Sequence, residues 1–448
     1  MKKYLIIFIG AIFLTIGCSK QLDINPTQDV PEELVFDNDE NIKAALNGAY
    51  DAASAAWNLG GDYMLYSELL GAGGEIRWVG TYNQPREMYR KSILTNNSYV
   101  ASTWSSSYKV INICNNILAN LDKVNIDDRD RIQGEALFLR GTIYFNLVEL
   151  YAKPYSAGNV TTNLGLQLVT EPTVNGQITE ENMAPRKTIQ ETYALILSDL
   201  ITSKSLMDEE IGSYGGKYAA AAILSRVYLQ MADYEKARDE ADDVIENSGA
   251  SLTANYKDAF NNIAPSSEDI FVLPVTAQDG ENDMFLFWST SDYGARDGDV
   301  EINQAHLDLY EPGDARLALF WDSDDTYYSG KWRYNYRFLP QIRLAEMYLT
   351  RAECNFRLST SVGATPDDDI TTIRSRVGLS PIVSLTLDDI ILERHLEIAH
   401  EGQRIHDIKR LKQSVDGFNY DANQLVFPIP LREINAVGST ILQQNDGY

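Results

Sequence analysis

The sequence predicts a mainly α-helical protein in which pairs of antiparallel helices form a scaffold that carries long loops and a few short strands. Apolar residues recur at helical spacing in several long stretches, and extended segments without that period separate them. The chain has 448 residues, 44% of them hydrophobic and 10% aromatic, which supplies enough apolar side chains for a large core.

The clearest helix pair covers residues 216–249. The apolar positions of its first helix are spaced i, i+3, i+4 and i+7, at Leu224, Val227, Tyr228 and Met231. Asp233 is expected to cap the second helix and Gly249 to end it. Alanines at the contact positions let the two helix axes approach closely. The pair predicts a unit similar to a tetratricopeptide (TPR) repeat.

Similar stripes predict helices at 41–54, 104–122, 131–151, 188–206, 340–358 and 386–412. Non-helical segments are expected at 60–100, 152–186, 250–338 and 413–430. Within the third of these, Lys331–Phe338 alternates aromatic with polar residues, the period of a half-buried strand. Loops of such length usually serve binding, so we expect a single domain over 31–448 with ligand-binding insertions at about 60–100 and 250–338.

The N-terminus has the features of a secretory signal peptide over residues 1–17. Lys2 and Lys3 precede an apolar run that is shorter than the roughly 20 residues a membrane-spanning helix needs. Gly17-Cys18 at its end favours a lipobox, with Cys18 acylated and residues 18–30 as a tether; an ordinary signal peptide is the alternative. Cys114 and Cys354 are expected to be buried thiols.

The composition and motifs exclude several function classes. Thirty-eight Lys and Arg against 64 Asp and Glu give a net charge of −26, which argues against nucleic-acid binding. No catalytic motif or cofactor-binding loop is present in the sequence, so we expect neither an enzyme nor a cofactor.

No metal site is predicted either. His395, His400 and His406 lack the i, i+4 spacing of a helical zinc pair and are expected to be structural. The acidic runs Asp367–Asp369 and Asp322–Asp325 lack the alternation of a calcium loop and are expected to be solvated turns.

Aromatic residues in the predicted loops are the candidate ligand-binding residues. They are Trp78, Tyr82, Asn83, Trp288, Tyr293 and Trp321, with Asn83 included as a polar neighbour. A rigid flat ring beside amide, carboxylate and guanidinium groups suits a sugar, which has an apolar C–H face and many hydroxyls. The alternative is that each ring packs its own loop onto the scaffold.

Several segments in a fixed order resemble one family. They are Leu22–Thr27, Ala45–Tyr50, Arg140–Tyr151, Leu339–Glu353, Ile373–Leu379, Glu393–Arg410 and Phe427–Ile434. In these segments, and over residues 18–448 as a whole, the chain resembles the SusD/RagB family of outer-membrane nutrient-binding lipoproteins. Within Glu393–Arg410, Arg394 and Glu397 are spaced for an ion pair on a helix surface, and Gly402 permits a tight bend.

The resemblance implies a TPR-like scaffold with a variable ligand face. It also implies a lipid anchor in the outer membrane facing the exterior, and docking on a SusC-like TonB-dependent transporter. The expected ligand is an oligosaccharide or, as in the RagB branch, a peptide. A lipoprotein that uses its helix pairs to assemble protein partners stays open as an alternative.

Overall fold

The computed structural model describes residues 35–173, 176–278, 282–323 and 325–448. The predicted signal peptide, Cys18 and the tether lie outside these residues. In the described part the chain is mainly helical, with six short strands, which confirms the predicted fold class. None of the described helices combines the length and apolar character needed to cross a membrane.

The helices follow one another along the whole described chain. In the first half they are α1 Asp39–Ser54, α2 Asp62–Leu70, α3 Asn83–Tyr89, α4 Ser98–Ala119, α5 Ile126–Tyr151, α6 Ile189–Leu206, α7 Lys217–Gln230 and α8 Tyr234–Asn247. In the second half they are α9 Asp283–Trp288, α10 Gln304–Leu307, α11 Leu344–Leu358, α12 Pro366–Arg376, α13 Leu387–Glu397, α14 Arg404–Arg410 and α15 Leu431–Val437.

The long helices pack in a chain of neighbours that forms the scaffold. The order is α1, α4, α5, α6, α7, α8 and α11, with α12 and α13 packed on α11. The pair α7–α8 confirms the prediction for 216–249: the Asp233 side chain accepts from the backbone N–H of Lys236, and Gly249 has φ +75°. Ser225 Oγ donates to the carbonyl of Ala237 at 3.0 Å, which shows how closely the two helices approach.

The strands form two antiparallel sheets. β1 (Ile76–Trp78), β3 (Val300–Ile302), β5 (Thr326–Ser329) and β4 (Phe320–Ser323) form one sheet in that spatial order. β2 (Asp269–Leu273) pairs with β6 (Leu339–Arg343) in the other. In the larger sheet Trp78 is opposite Val300, and Trp321 is opposite Tyr328. The two segments predicted as insertions therefore meet in one sheet.

Four sequence predictions about local structure are wrong. The segments 60–100 and 250–338 are not free of helix, since the first contains α2 and α3 and the second contains α9 and α10. Lys331–Phe338 is not a strand, because its first residues belong to a 3₁₀ turn and Tyr336 has φ +51°. The acidic run Asp367–Asp369 is the first turn of α12, where negative charge is favourable at a helix N-terminus.

The C-terminal segment bends where the sequence predicted it. Gly402 has φ +81°, and a Cβ atom there would lie 2.6 Å from Cα of Met64, so only glycine fits. Its backbone N–H donates to Glu68 Oε1 at 2.8 Å. Cys114 and Cys354 are buried free thiols, as expected.

The predicted surface ion pair between Arg394 and Glu397 is wrong, because both side chains are buried and bind other partners. Arg394 donates to Glu346 and to Asp407, each at 3.0 Å. Glu397 instead lies among arginines of other elements: it accepts from Arg376 and lies 3.3 Å from Arg343. The segment Glu393–Arg410 therefore contributes charges to the interior of the scaffold.

Glu397 gives a prediction for the acid sensitivity of the fold. Burial alone would raise the pKa of this carboxyl, but the neighbouring Arg376, Arg343 and Arg316 together lower it to about 2. A carboxyl whose pKa is lower in the folded state contributes stability above its unfolded pKa of about 4.3 and loses it as the pH falls toward 2. We therefore expect Glu397→Gln to lower the free energy of unfolding by about 3 kcal/mol at pH 7 and by less at lower pH.

Urea denaturation at several pH values measures this difference. The exposed Glu171 provides a matched control, and Glu171→Gln should leave the free energy of unfolding and its pH dependence as in the wild type. A constant difference between Glu397→Gln and the wild type from neutral pH down to the acid limit of folding would contradict the assignment.

Candidate ligand-binding surface

Exposed and half-buried aromatic residues gather beside the larger sheet. They come from the segment after β1, from the turn after α9, from β4 and from the segment before β6. We define the aromatic surface as Tyr82, Tyr293, Arg296, Trp321, Arg333 and Tyr334.

Tyr82 and Arg296 form one end of the aromatic surface. The Arg296 guanidinium carbon lies 4.1 Å from the centre of the Tyr82 ring, and 40% of Tyr82 is exposed. Arg296 also donates to Asp299 at 2.6 Å and to Thr81 at 2.8 Å. Burial raises the pKa of Asp299, and the hydrogen bond from Arg296 opposes that effect. These contacts fix the Arg296 guanidinium in place against the partly exposed ring of Tyr82.

Trp321, Tyr293 and Tyr334 form the other end. The Tyr293 ring meets the rings of Trp321 and Tyr334 edge to face, with centroids 5.8 Å and 5.4 Å away. The guanidinium carbon of Arg333 lies 4.3 Å from the centre of the Trp321 ring and 5.5 Å from that of Tyr293. Arginine stacked on aromatic rings is a favourable arrangement that keeps both the rings and the cation ordered. The turn from α9 carries both Tyr293 and Arg296 and so links the two ends.

Trp78 and Trp288 do not belong to the aromatic surface. Trp288 is fully buried, with its ring centre 4.7 Å from that of His400, and Trp78 is 5% exposed and packs against Phe287. In this conformation neither ring offers a face to an external ligand. Both tryptophans instead pack their own segments onto the scaffold, which is the alternative given for the loop aromatics. Asn83 begins α3, where its side chain accepts from Arg86 at 3.1 Å.

Sequence reasoning did not select Arg296, Arg333 or Tyr334. Arg296 follows Tyr293 by three residues, a spacing that places both in one turn. The aromatic alternation predicts that Trp332, Tyr334 and Tyr336 form a packed strand face, whereas in the structure Tyr334 is 41% exposed. The local signal in the sequence is limited to Arg296 close after Tyr293 and Arg333 directly before Tyr334, because Tyr82 and Trp321 meet their arginines only in the folded chain.

The histidines of the C-terminal segment lie in two places. His395 and His400 both lie near His306, the one histidine outside this segment, with ring centroids 5.7 Å and 4.9 Å from the His306 ring. His400 is buried, and its Nδ1 lies 3.2 Å from Ser329 Oγ. His406 lies elsewhere, beside Glu149, with Nδ1 3.1 Å from Oε2.

Comparison with protein families identifies the class of protein. Residues 20–229 match a SusD-like family model described as starch-binding and associating with the outer membrane, and residues 316–425 match the SusD family model. The two matches together span more than half of the chain. The chain belongs to the SusD/RagB family.

Individual relatives are similar to the chain over almost its full length. SusD-like protein P2 of Formosa agariphila is 26% identical, and the alignment covers all of both chains. The crystal structure of a putative sugar binding protein of Bacteroides vulgatus is 26% identical, with a TM-score of 0.81 over 92% of this chain and 99% of that one. A laminarin binding SusD-like protein shares the fold at 23% identity and a TM-score of 0.75, over 92% of this chain and all of that one.

The burial of Trp288 predicts how two aromatic substitutions differ. We expect Trp288→Ala to lower the free energy of unfolding by about 3–5 kcal/mol, since it removes a fully buried indole. Tyr82→Ala should lower it by less than about 1 kcal/mol, because much of that ring is already in water. Urea denaturation of the two variants measures both values. Equal losses would show that the two rings are not buried as described.

Proposed function

We propose that this protein captures an oligosaccharide at the cell surface and passes it to a SusC-like TonB-dependent transporter, without catalysing a reaction itself. In this proposal acylated Cys18 anchors it in the outer membrane, facing the exterior. The observation that carries the glycan assignment is the aromatic surface, where exposed rings and ordered arginines lie together.

A sugar ring fits the chemistry of the aromatic surface. Its C–H face can pack on an aromatic ring such as that of Trp321 or Tyr82, and its hydroxyls can accept from a guanidinium. Arg296 and Arg333 lie against these two rings, so stacking and hydrogen bonding are available at the same place. Exposed Asp292 and Asp322 on the neighbouring turn and strand can accept hydrogen bonds from further hydroxyls.

The comparisons support the proposal at a coarser level. The family description names starch binding and outer-membrane association, and a relative of 26% identity is named a putative sugar binding protein. The laminarin-binding relative adds support for the fold and makes laminarin a reasonable first glycan to test.

The aromatic surface predicts which substitutions remove glycan binding. We expect Trp321→Ala and Tyr82→Ala each to weaken binding of the recognised glycan about tenfold, because each variant loses a stacking contact with the sugar that contributes about 1.4 kcal/mol. Isothermal titration calorimetry against a panel of oligosaccharides, including laminarin fragments, measures the affinities.

Tyr214→Ala is the matched control, because Tyr214 is 58% exposed and packs on Tyr50, far from the aromatic surface in sequence and outside its defined residues. Its affinity should equal that of the wild type. Heat with peptides and none with any glycan would favour the RagB-like alternative and overturn the glycan assignment. Unchanged glycan affinity in both Trp321→Ala and Tyr82→Ala would show that the glycan binds outside the aromatic surface.

The proposed anchor and partner predict a second result. The wild-type protein should fractionate with the outer membrane and bring down a large TonB-dependent β-barrel on affinity capture. Cys18→Ser should be released into the soluble fraction, because a signal-peptide cleavage product without acyl chains has no anchor. Capture of soluble proteins in place of a barrel would instead support the assembly-lipoprotein alternative.

A further inference from the structure

Two histidines from distant parts of the chain converge on one carboxylate oxygen. Nδ1 of His306 lies 2.7 Å from Glu75 Oε2, and Nε2 of His395 lies 2.6 Å from the same atom. One ligand atom from each of the three residues lies within 4.8 Å of the other two. Glu75 directly precedes β1, His306 belongs to α10, and His395 lies in the last turn of α13.

The contacts around His306 orient its ring. The Tyr310 hydroxyl lies 3.2 Å from Nε2 of His306 and 3.3 Å from the carbonyl oxygen of Leu396. Nδ1 on the opposite side of the ring therefore faces Glu75 Oε2 at 2.7 Å. A neutral imidazole held in this way can use Nδ1 as a metal ligand.

The surroundings suit a fixed ion. His306 is almost fully buried, while Glu75 and His395 keep partial exposure that gives an entry path. Arg404 donates to the other oxygen of Glu75 at 2.7 Å, which orients the carboxylate and leaves Oε2 for a ligand. A cavity of about 10 Å³ adjoins Glu75 and His395, which is the space of one small ion or one water molecule.

We propose that Glu75, His306 and His395 bind one divalent transition-metal ion of the zinc class. Two imidazole nitrogens and one carboxylate oxygen form a donor set that zinc accepts, with bonds of about 2.0–2.2 Å and an open fourth position for water. Donors around a tetrahedral ion are about 3.3 Å apart, so the present contacts must lengthen by about 0.6 Å, a change that side-chain rotation provides. Tyr310 and Arg404 are the outer partners that orient His306 and Glu75.

The ion would join three segments, the outermost of which, at Glu75 and His395, are separated by 320 residues. The loop before β1, the helix after β3 and the end of α13 would share one set of bonds. Because β1 and β3 belong to the sheet beside the aromatic surface, the ion would fix that sheet to the C-terminal part of the scaffold. This inference does not depend on the identity of the ligand that the aromatic surface binds.

Zinc titration of the full mature chain tests the site. Protein freed of metal with a chelator is titrated with zinc chloride by calorimetry, and cobalt(II) is then added to a second sample to record visible absorption. We expect one zinc ion per chain, a melting temperature that rises with zinc, and the absorption of tetrahedral cobalt. Absence of stoichiometric zinc binding in the wild type would show that hydrogen bonds alone hold the three residues together and would overturn the proposal.

His395→Gln separates this site from other metal-binding groups, since His395 is partly exposed and the variant keeps a polar side chain. It should weaken zinc binding at least tenfold and abolish the cobalt absorption. His406→Gln is the matched control, because His406 lies at Glu149 and not at Glu75. Zinc affinity unchanged by His395→Gln, or weakened equally by His406→Gln, would place the ion elsewhere and overturn the proposal.

Discussion

The buried guanidinium of Arg343 is the interaction on which the arrangement of the fold depends. It donates to Glu268 at 2.6 Å and to both oxygens of Glu401 at 2.8 Å, and it lies 3.3 Å from Glu397. Arg343 joins β6 to α11, Glu268 precedes β2, and the other two glutamates belong to the C-terminal segment. The guanidinium of Arg343 therefore connects the predicted insertion at 250–338, the helical scaffold and the segment Glu393–Arg410.

Charges buried in this way act on specificity more than on net stability. Desolvation offsets most of the attraction in a buried pair, whereas loss of one partner leaves the other charge uncompensated and costs about 3–5 kcal/mol. The same arrangement recurs nearby, where Arg410 binds Glu353 at 2.6 Å and Asp407 at 2.6 Å. The charged segment Glu393–Arg410, one of those that carry the family resemblance, is thus part of the interior, which explains why it contributes no residue to the aromatic surface.

The sequence predicts the scaffold well because helix packing leaves a local pattern. The alanines and the capping Asp233 of α7–α8 are sufficient to place both helices. Local sequence patterns fail to predict the conformation where contacts between distant segments determine it. The alternation in Lys331–Phe338 suggested a strand, yet the backbone of Tyr334 binds the Asn261 side chain and Phe338 binds the carbonyl of Asn262. The start of α12 can be predicted from the sequence, since Thr365 caps the helix and Pro366 is its first residue.

The aromatic surface is less predictable for the same reason. Trp78 and Tyr82 are four residues apart in one predicted loop, but in the structure Trp78 lies on the buried face of β1 and Tyr82 lies beyond the end of the strand. Sequence identifies both as loop aromatics, and only the partner strand β3 shows which one is covered. The roles of Arg296 and Arg333 are equally hard to predict, because each arginine lies against a ring that a distant segment of the chain provides. A scaffold held by buried charges can therefore keep its architecture while the exposed rings on its loops change.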